Sequence, residues 1–111
     1  MLTTTTFSLT GYEITEELGV VRGIIVRSPT IGQNILGGLK SIVGGNIGAF
    51  TDMCEAARQH AFDQMVAHAQ QMGANAIIGI RYDGSDLGQS TGTEVLCYGT
   101  AVKVVRNLPQ G

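Results

Sequence analysis

The chain has 111 residues, 43% hydrophobic and only 14% charged, with a formal net charge of −2. That length fits one domain spanning residues 1–111, by the usual range of roughly 100 to 200 residues, and the charge content, below the roughly 25% of typical soluble domains, points to surface covered by a partner. The seven basic residues (Arg22, Arg27, Lys40, Arg58, Arg81, Lys103 and Arg106) stand singly along the chain, which excludes the clustered footprint of a nucleic-acid binder.

The N-terminus, MLTTTT, has neither the basic start nor the apolar stretch of a secretory signal, so the chain is read as cytoplasmic. Tyr12 to Arg27, YEITEELGVVRGIIVR, opens in apolar/polar alternation and passes into a β-branched run. This predicts a strand whose second half is buried on both faces. Gly19 and Gly23 mark a bulge or a close backbone approach, and Pro29 ends the strand.

Thr30 to Phe50 carries six of the sixteen glycines among Ile31, Ile35, Leu36, Leu39, Ile42, Val43 and Ile47. The spacing is helical, yet Gly37 and Gly38 each cost roughly 1 kcal/mol relative to alanine inside a helix. Outside contacts have to hold such a segment, either its own domain or a neighbouring subunit. The neighbour is favoured, with Ile35, Leu36, Gly37, Gly38, Leu39, Ile42, Val43, Gly44 and Gly45 as the interface, because glycines admit close backbone approach.

Thr51 to Met72 reads as a helix, with Thr51 and Asp52 as cap residues, Glu55 completing a capping box and Gly73 as the left-handed stop. Cys54, Ala57, Ala61, Met65, Ala69 and Met72 form its apolar stripe. Strands follow at Ala76 to Asp83 and at Glu94 to Val105, separated by a polar loop from Gly84 to Gly92. The last strand is apolar on both faces and belongs at the sheet centre. The fold class is therefore α+β: a βαββ unit with a right-handed crossover and the last strand inserted between the other two. One helix leaves one sheet face bare, and in so uncharged a chain that face is an oligomer interface. No apolar run exceeds the five residues Ala76 to Ile80, far short of the ~18 to 20 that cross a bilayer, so no membrane is a partner.

Candidate chemistry is sparse. His60 and His68 share the helix but lie about 12 Å apart along its axis, beyond the i, i+4 spacing of a helical metal pair, and read as solvated. Cys54 and Cys97 lack a CxxC spacing and read as reduced, buried thiols. Cys97 alternates with Val95 and Gly99 in the central strand, where burial raises its pKa. The glycines around Lys40 and Ser41 miss the P-loop spacing, GGNIG lacks the dinucleotide pattern, and GxSxG is absent. An anion at the N-terminus of the Thr51 helix is physically allowed. Glu13, Glu16 and Glu17 form a solvated strand edge, with Glu17 near Arg22. Arg22, Arg27 and Arg81, flanked by apolar residues, each need a carboxylate or carbonyl partner. No catalytic set emerges, and the chain is read as a non-enzyme.

The blocks GYEITEELGVVRGIIVRSPTIG, GLKSIVGGNIGAFTDMCEAAR, MGANAIIGIRYD and EVLCYGTAVKV resemble, in order, those of the YbjQ-type family of small prokaryotic proteins labelled heavy-metal-binding. The resemblance implies a dodecin-like βαββ subunit in a ring-shaped homopentamer. It also implies a heavy-metal ion as ligand, held by Cys54, Cys97, His60 or His68 brought together through assembly. A ligand-free docking module and an enzyme with a composite inter-subunit site are the alternative functions.

Overall fold

The computed structural model describes residues 1–27, 47–86 and 93–108. In chain order the elements are β1 (Leu2–Thr3), β2 (Tyr12–Arg27), α1 (Ile47–Gln71), β3 (Ala76–Asp86) and β4 (Thr93–Arg106). They build one mixed sheet in the order β1-β3-β4-β2, with the helix on one face. Both β2 and β3 run antiparallel to β4, which lies between them as its apolar sequence required.

A fourth strand joins the three expected. Leu2 and Thr3 pair in parallel with Ala76 and Ile77, and Thr4 N–H donates to the Ile77 carbonyl at 3.0 Å. A two-residue strand in a run of threonines carries no alternation, so only the free edge of β3 reveals it. Three boundaries also move. The helix already runs at Ile47, so Thr51 and Asp52 lie within it rather than at its cap, and the anion reading at Thr51 falls with the cap. Glu55 pairs with Arg58 one turn on, at 3.5 Å, in place of a capping box. Gly84, Ser85 and Asp86 belong to β3, opposite Val95, Glu94 and Thr93, and not to a polar loop. The interface residues Ile35, Leu36, Gly37, Gly38, Leu39, Ile42, Val43, Gly44 and Gly45 lie outside the described residues.

The helix ends as Gly73 dictates. At φ +83° it takes the left-handed conformation, its N–H donates to the Gln70 carbonyl at 3.0 Å, and Ala74 N–H reaches back to Ala69 at 3.0 Å. These two bonds are the Schellman pattern that satisfies the last carbonyls of a helix.

Ala57, Ala61, Met65 and Ala69 press on Val21, Ile25, Ile77, Ile80, Cys97 and Ala101 to form the main core. The stripe is narrow because alanines bring the helix close to the sheet. At Gly23 the approach is closest: a Cβ there would overlap the Ala61 carbonyl oxygen. Gly19, at φ +124°, sits at the bulge that leaves Leu18 without a partner in β4. Both roles expected of these glycines are thus filled, one by each.

A second, smaller core occupies the opposite face at the β1 end, where Leu9, Tyr12 and Ile14 cover Ala76, Ile78, Val102 and Val104. Asn75 anchors this end. Its side-chain amide donates to the Val104 carbonyl at 2.9 Å, and its side-chain oxygen accepts from Val104 N–H at 2.8 Å. Since Val104 is buried, Asn75→Ala strands a donor and an acceptor there and is expected to cost about 1–3 kcal/mol. A shift in the urea midpoint measures it; an unchanged midpoint would mean that water replaces the amide.

Among the described residues no element covers the remainder of that face. Val20, Ile24, Val26 and Tyr98 are 68%, 41%, 45% and 38% exposed, and Leu96 is half-buried among them. Among the described residues the second half of β2 is therefore buried on one face only, against the helix, where its hydrophobicity predicted burial on both. One helix can cover only one side of a sheet.

Candidate functional site

The chemistry-bearing residues of the described chain gather on the helix side of β3 and β4. Cys97 lies fully buried in the central strand, as its alternation with Val95 and Gly99 required. Its sulfur stands 3.7 Å from the Met65 sulfur of α1. Across the sheet it is paired with Tyr82. Burial pushes the Cys97 thiol up, and the neighbouring Tyr82 hydroxyl offsets part of that rise. The Tyr82 phenol is raised as well, first by burial and then by the neighbouring Cys97 and Glu55.

A one-residue bulge selects Tyr82 for this place. Ile78 pairs with Thr100 and Arg81 with Tyr98, so Gly79 and Ile80 together oppose Gly99. Gly79 adopts φ +63°, the left-handed conformation that such a bulge demands. Unbulged pairing would set Arg81 opposite Cys97; the extra residue turns Ile80 and Tyr82 toward the helix instead. Arg81 is thereby exposed on the other face rather than nearly buried. Its guanidinium donates to the carbonyls of Thr5 and Ile80, each at 2.8 Å, and lies 5.6 Å from the Phe7 ring centre. It finds the carbonyl partners expected of it.

Outside Tyr82 a cleft of about 480 Å³ opens between the helix and the strands, lined by Glu55, Arg58, Gln59, Tyr82, Asp83, Gly84 and Val95. That volume lies within the range of small-ligand pockets. No element of this cleft announced itself in the sequence, since Gln59 and Asp83 meet only once helix and sheet are packed.

The other candidate ligands stand apart. Cys54 is exposed on the helix, contrary to the buried thiol expected, because the sheet meets the stripe only from Ala57 onward. His60 is exposed. His68 is half-buried, and its Nδ1 accepts the backbone N–H of Arg22 at 3.3 Å, while Gln64 Oε1 accepts that of Ile24 at 3.1 Å. These two side chains close part of the outer edge of β2, which would otherwise offer free donors to a passing strand. His68 is thus a structural partner of β2 rather than a solvated residue. Arg22 is exposed, and the ion pair of the acidic group is Glu16 with Lys103, at 3.6 Å. The side chain of Arg27 lies outside the described residues.

Among the described residues no three of His, Cys, Asp and Glu converge, and no polar or charged residue is buried. A zinc-like centre of nitrogen, oxygen and several thiolates therefore does not fit among the described residues of one chain. The donors that do meet are both sulfurs, a set suited to soft, thiophilic ions. Among the described residues no helix is long and apolar enough to cross a membrane.

Comparison with known proteins gives concordant results. The chain is 61% identical over 102 residues to a UPF0145 protein of Legionella pneumophila (strain Philadelphia 1), covering 92% of this chain and 96% of that one. It is 56% identical over 105 residues to a UPF0145 protein of Francisella philomiragia, covering 94% and 99%. A crystal structure of a protein of unknown function from Pediococcus pentosaceus, assigned to the DUF74 family, shares the fold. It superposes with a TM-score of 0.50 at 13% identity over 96% of this chain and 98% of that one. Residues 1–105 match the YbjQ family model, described as "Putative heavy-metal-binding", and the chain belongs to this family.

Proposed function

We propose that the chain is a non-catalytic subunit of a cytoplasmic homo-oligomer, a ring of five copies, that binds a heavy-metal ion. The observation that carries the assembly is the bare apolar patch of Val20, Ile24, Val26, Leu96 and Tyr98 on an otherwise alternating sheet. A monomer rarely leaves such a patch in water. The occupant is a second copy: the patch lies on β2, an edge strand of the sheet, and on its neighbour β4, so that a like sheet can both cover the face and pair with the edge. Support for the ligand comes from the family description and from the meeting of Cys97 and Met65 sulfurs.

A native mass spectrum of tag-free protein tests both halves at once. The expected result is a multiple of the 11.7 kDa chain, carrying the added mass of a metal. Ile24→Glu places a charge in the apolar patch and is expected to shift the population to monomer. A wild-type chain that runs as a monomer at micromolar concentration defeats the assembly.

A further inference from the structure

The two sulfurs have a geometry and a setting of their own. Cys97 and Met65 are both fully buried, yet they come from different elements and meet at 3.7 Å. Two metal–sulfur bonds of about 2.3 Å span up to about 4.6 Å, so both can reach one ion without moving apart. Thiolate and thioether are the soft donors that select copper(I)-type ions over harder divalent metals.

Charge narrows the choice further. The pair sits among Val21, Ala61, Ala69, Ile77, Ile80 and Ala101. A buried net charge in such surroundings is costly unless it is paired. Binding exchanges the Cys97 thiol proton, released to solvent, for the cation, and the resulting thiolate neutralises a monovalent ion completely. A divalent cation would keep a positive charge, and the described core holds no carboxylate to balance it.

Access exists on one side. Tyr82, half exposed at 49%, lines the open cleft and is the cross-strand neighbour of Cys97, and Val95, two residues before Cys97 on the same face, forms part of the same wall.

From this we infer that Cys97 and Met65 form a buried two-sulfur site for one soft monovalent cation of the copper(I) and silver(I) class, entered past Tyr82 from the cleft. The inference rests on the metal-binding reading above and names its ion and its ligands.

The test uses tag-free protein carrying Cys54→Ala, which removes the exposed thiol that would otherwise capture such ions. Silver(I) is counted by native mass spectrometry, and copper(I) affinity is read anaerobically by competition with bicinchoninate. One ion per chain is expected. Adding Met65→Leu, a swap that conserves volume, is expected to weaken affinity by about tenfold or more, and adding Cys97→Ala to abolish it. Equal affinity with and without Met65→Leu, or no ion retained by the Cys54→Ala chain, overturns the site. If the wild-type chain binds silver only through Cys54, the heavy-metal reading survives and this site does not. The subunit number in the same spectra reports on assembly separately.

Discussion

A single methyl group at position 23 is expected to break the subunit. In Gly23→Ala the new Cβ would overlap the Ala61 carbonyl oxygen and come within 2.8 Å of Gln64 Cβ. One of those neighbours is helix backbone, which cannot rotate away, so α1 and β2 have to separate. Separation also lengthens the bonds from Arg22 N–H to His68 and from Ile24 N–H to Gln64, which flank the glycine. Overpacking costs about 1–3 kcal/mol and sometimes more, and each lost bond about 1 kcal/mol. A total of about 3–5 kcal/mol is a large share of the roughly 5–15 kcal/mol that holds a domain together. Urea denaturation at fixed protein concentration gives the measurement. Gly84→Ala is the control, since the nearest atom to its Cβ would be 4.0 Å away. A Gly23→Ala chain with the wild-type midpoint would show that helix and sheet are not apposed in this way.

Met65→Ala is the second large effect. Met65 is fully buried at the middle of the helix stripe, between Ala61 and Ala69, and the other fully buried helix residues of this core cluster are alanines. Truncation leaves a cavity that flanking alanines cannot fill. The expected loss is about 2–5 kcal/mol, whereas Met65→Leu, of similar volume, should lose less than about 1.5 kcal/mol. Thermal denaturation of the two variants at one protein concentration measures the difference, the concentration being held because assembly contributes to the melting temperature. If both lose stability alike, the sulfur contact with Cys97 contributes more than packing does. That pair of variants also separates the structural role of Met65 from ligation, since Met65→Leu keeps the core and removes the donor.

Legibility in the sequence followed the range of the interaction. Burial of Cys97 was readable because alternation along one strand is local: Val95, Cys97 and Gly99 share a face whatever lies opposite. Its neighbours were not readable. Tyr82 reaches Cys97 only through the register set by the Gly79 bulge, and one residue's difference would have delivered Arg81 instead. Met65 reaches it only through a helix-to-sheet distance fixed by alanines on one side and Gly23 on the other. The histidines illustrate the same limit. Their spacing along the helix is local and readable, but that His68 accepts a bond from β2 depends on β2 being an edge strand, a property of sheet order.

The order of β2, α1, β3 and β4, the central place of β4 and the stop at Gly73 were determined by the sequence alone, because each follows from periodicity or from a backbone conformation that only glycine adopts easily. Tertiary structure alone decided what covers each apolar residue. Hydrophobicity marks Val21 and Val20 equally for burial, yet Val21 meets the helix while Val20 faces outward. The transfer of apolar surface from water is favourable whatever surface replaces the water, so it carries no address. Only the packed fold tells the face filled by the chain's own helix from the face left for another molecule.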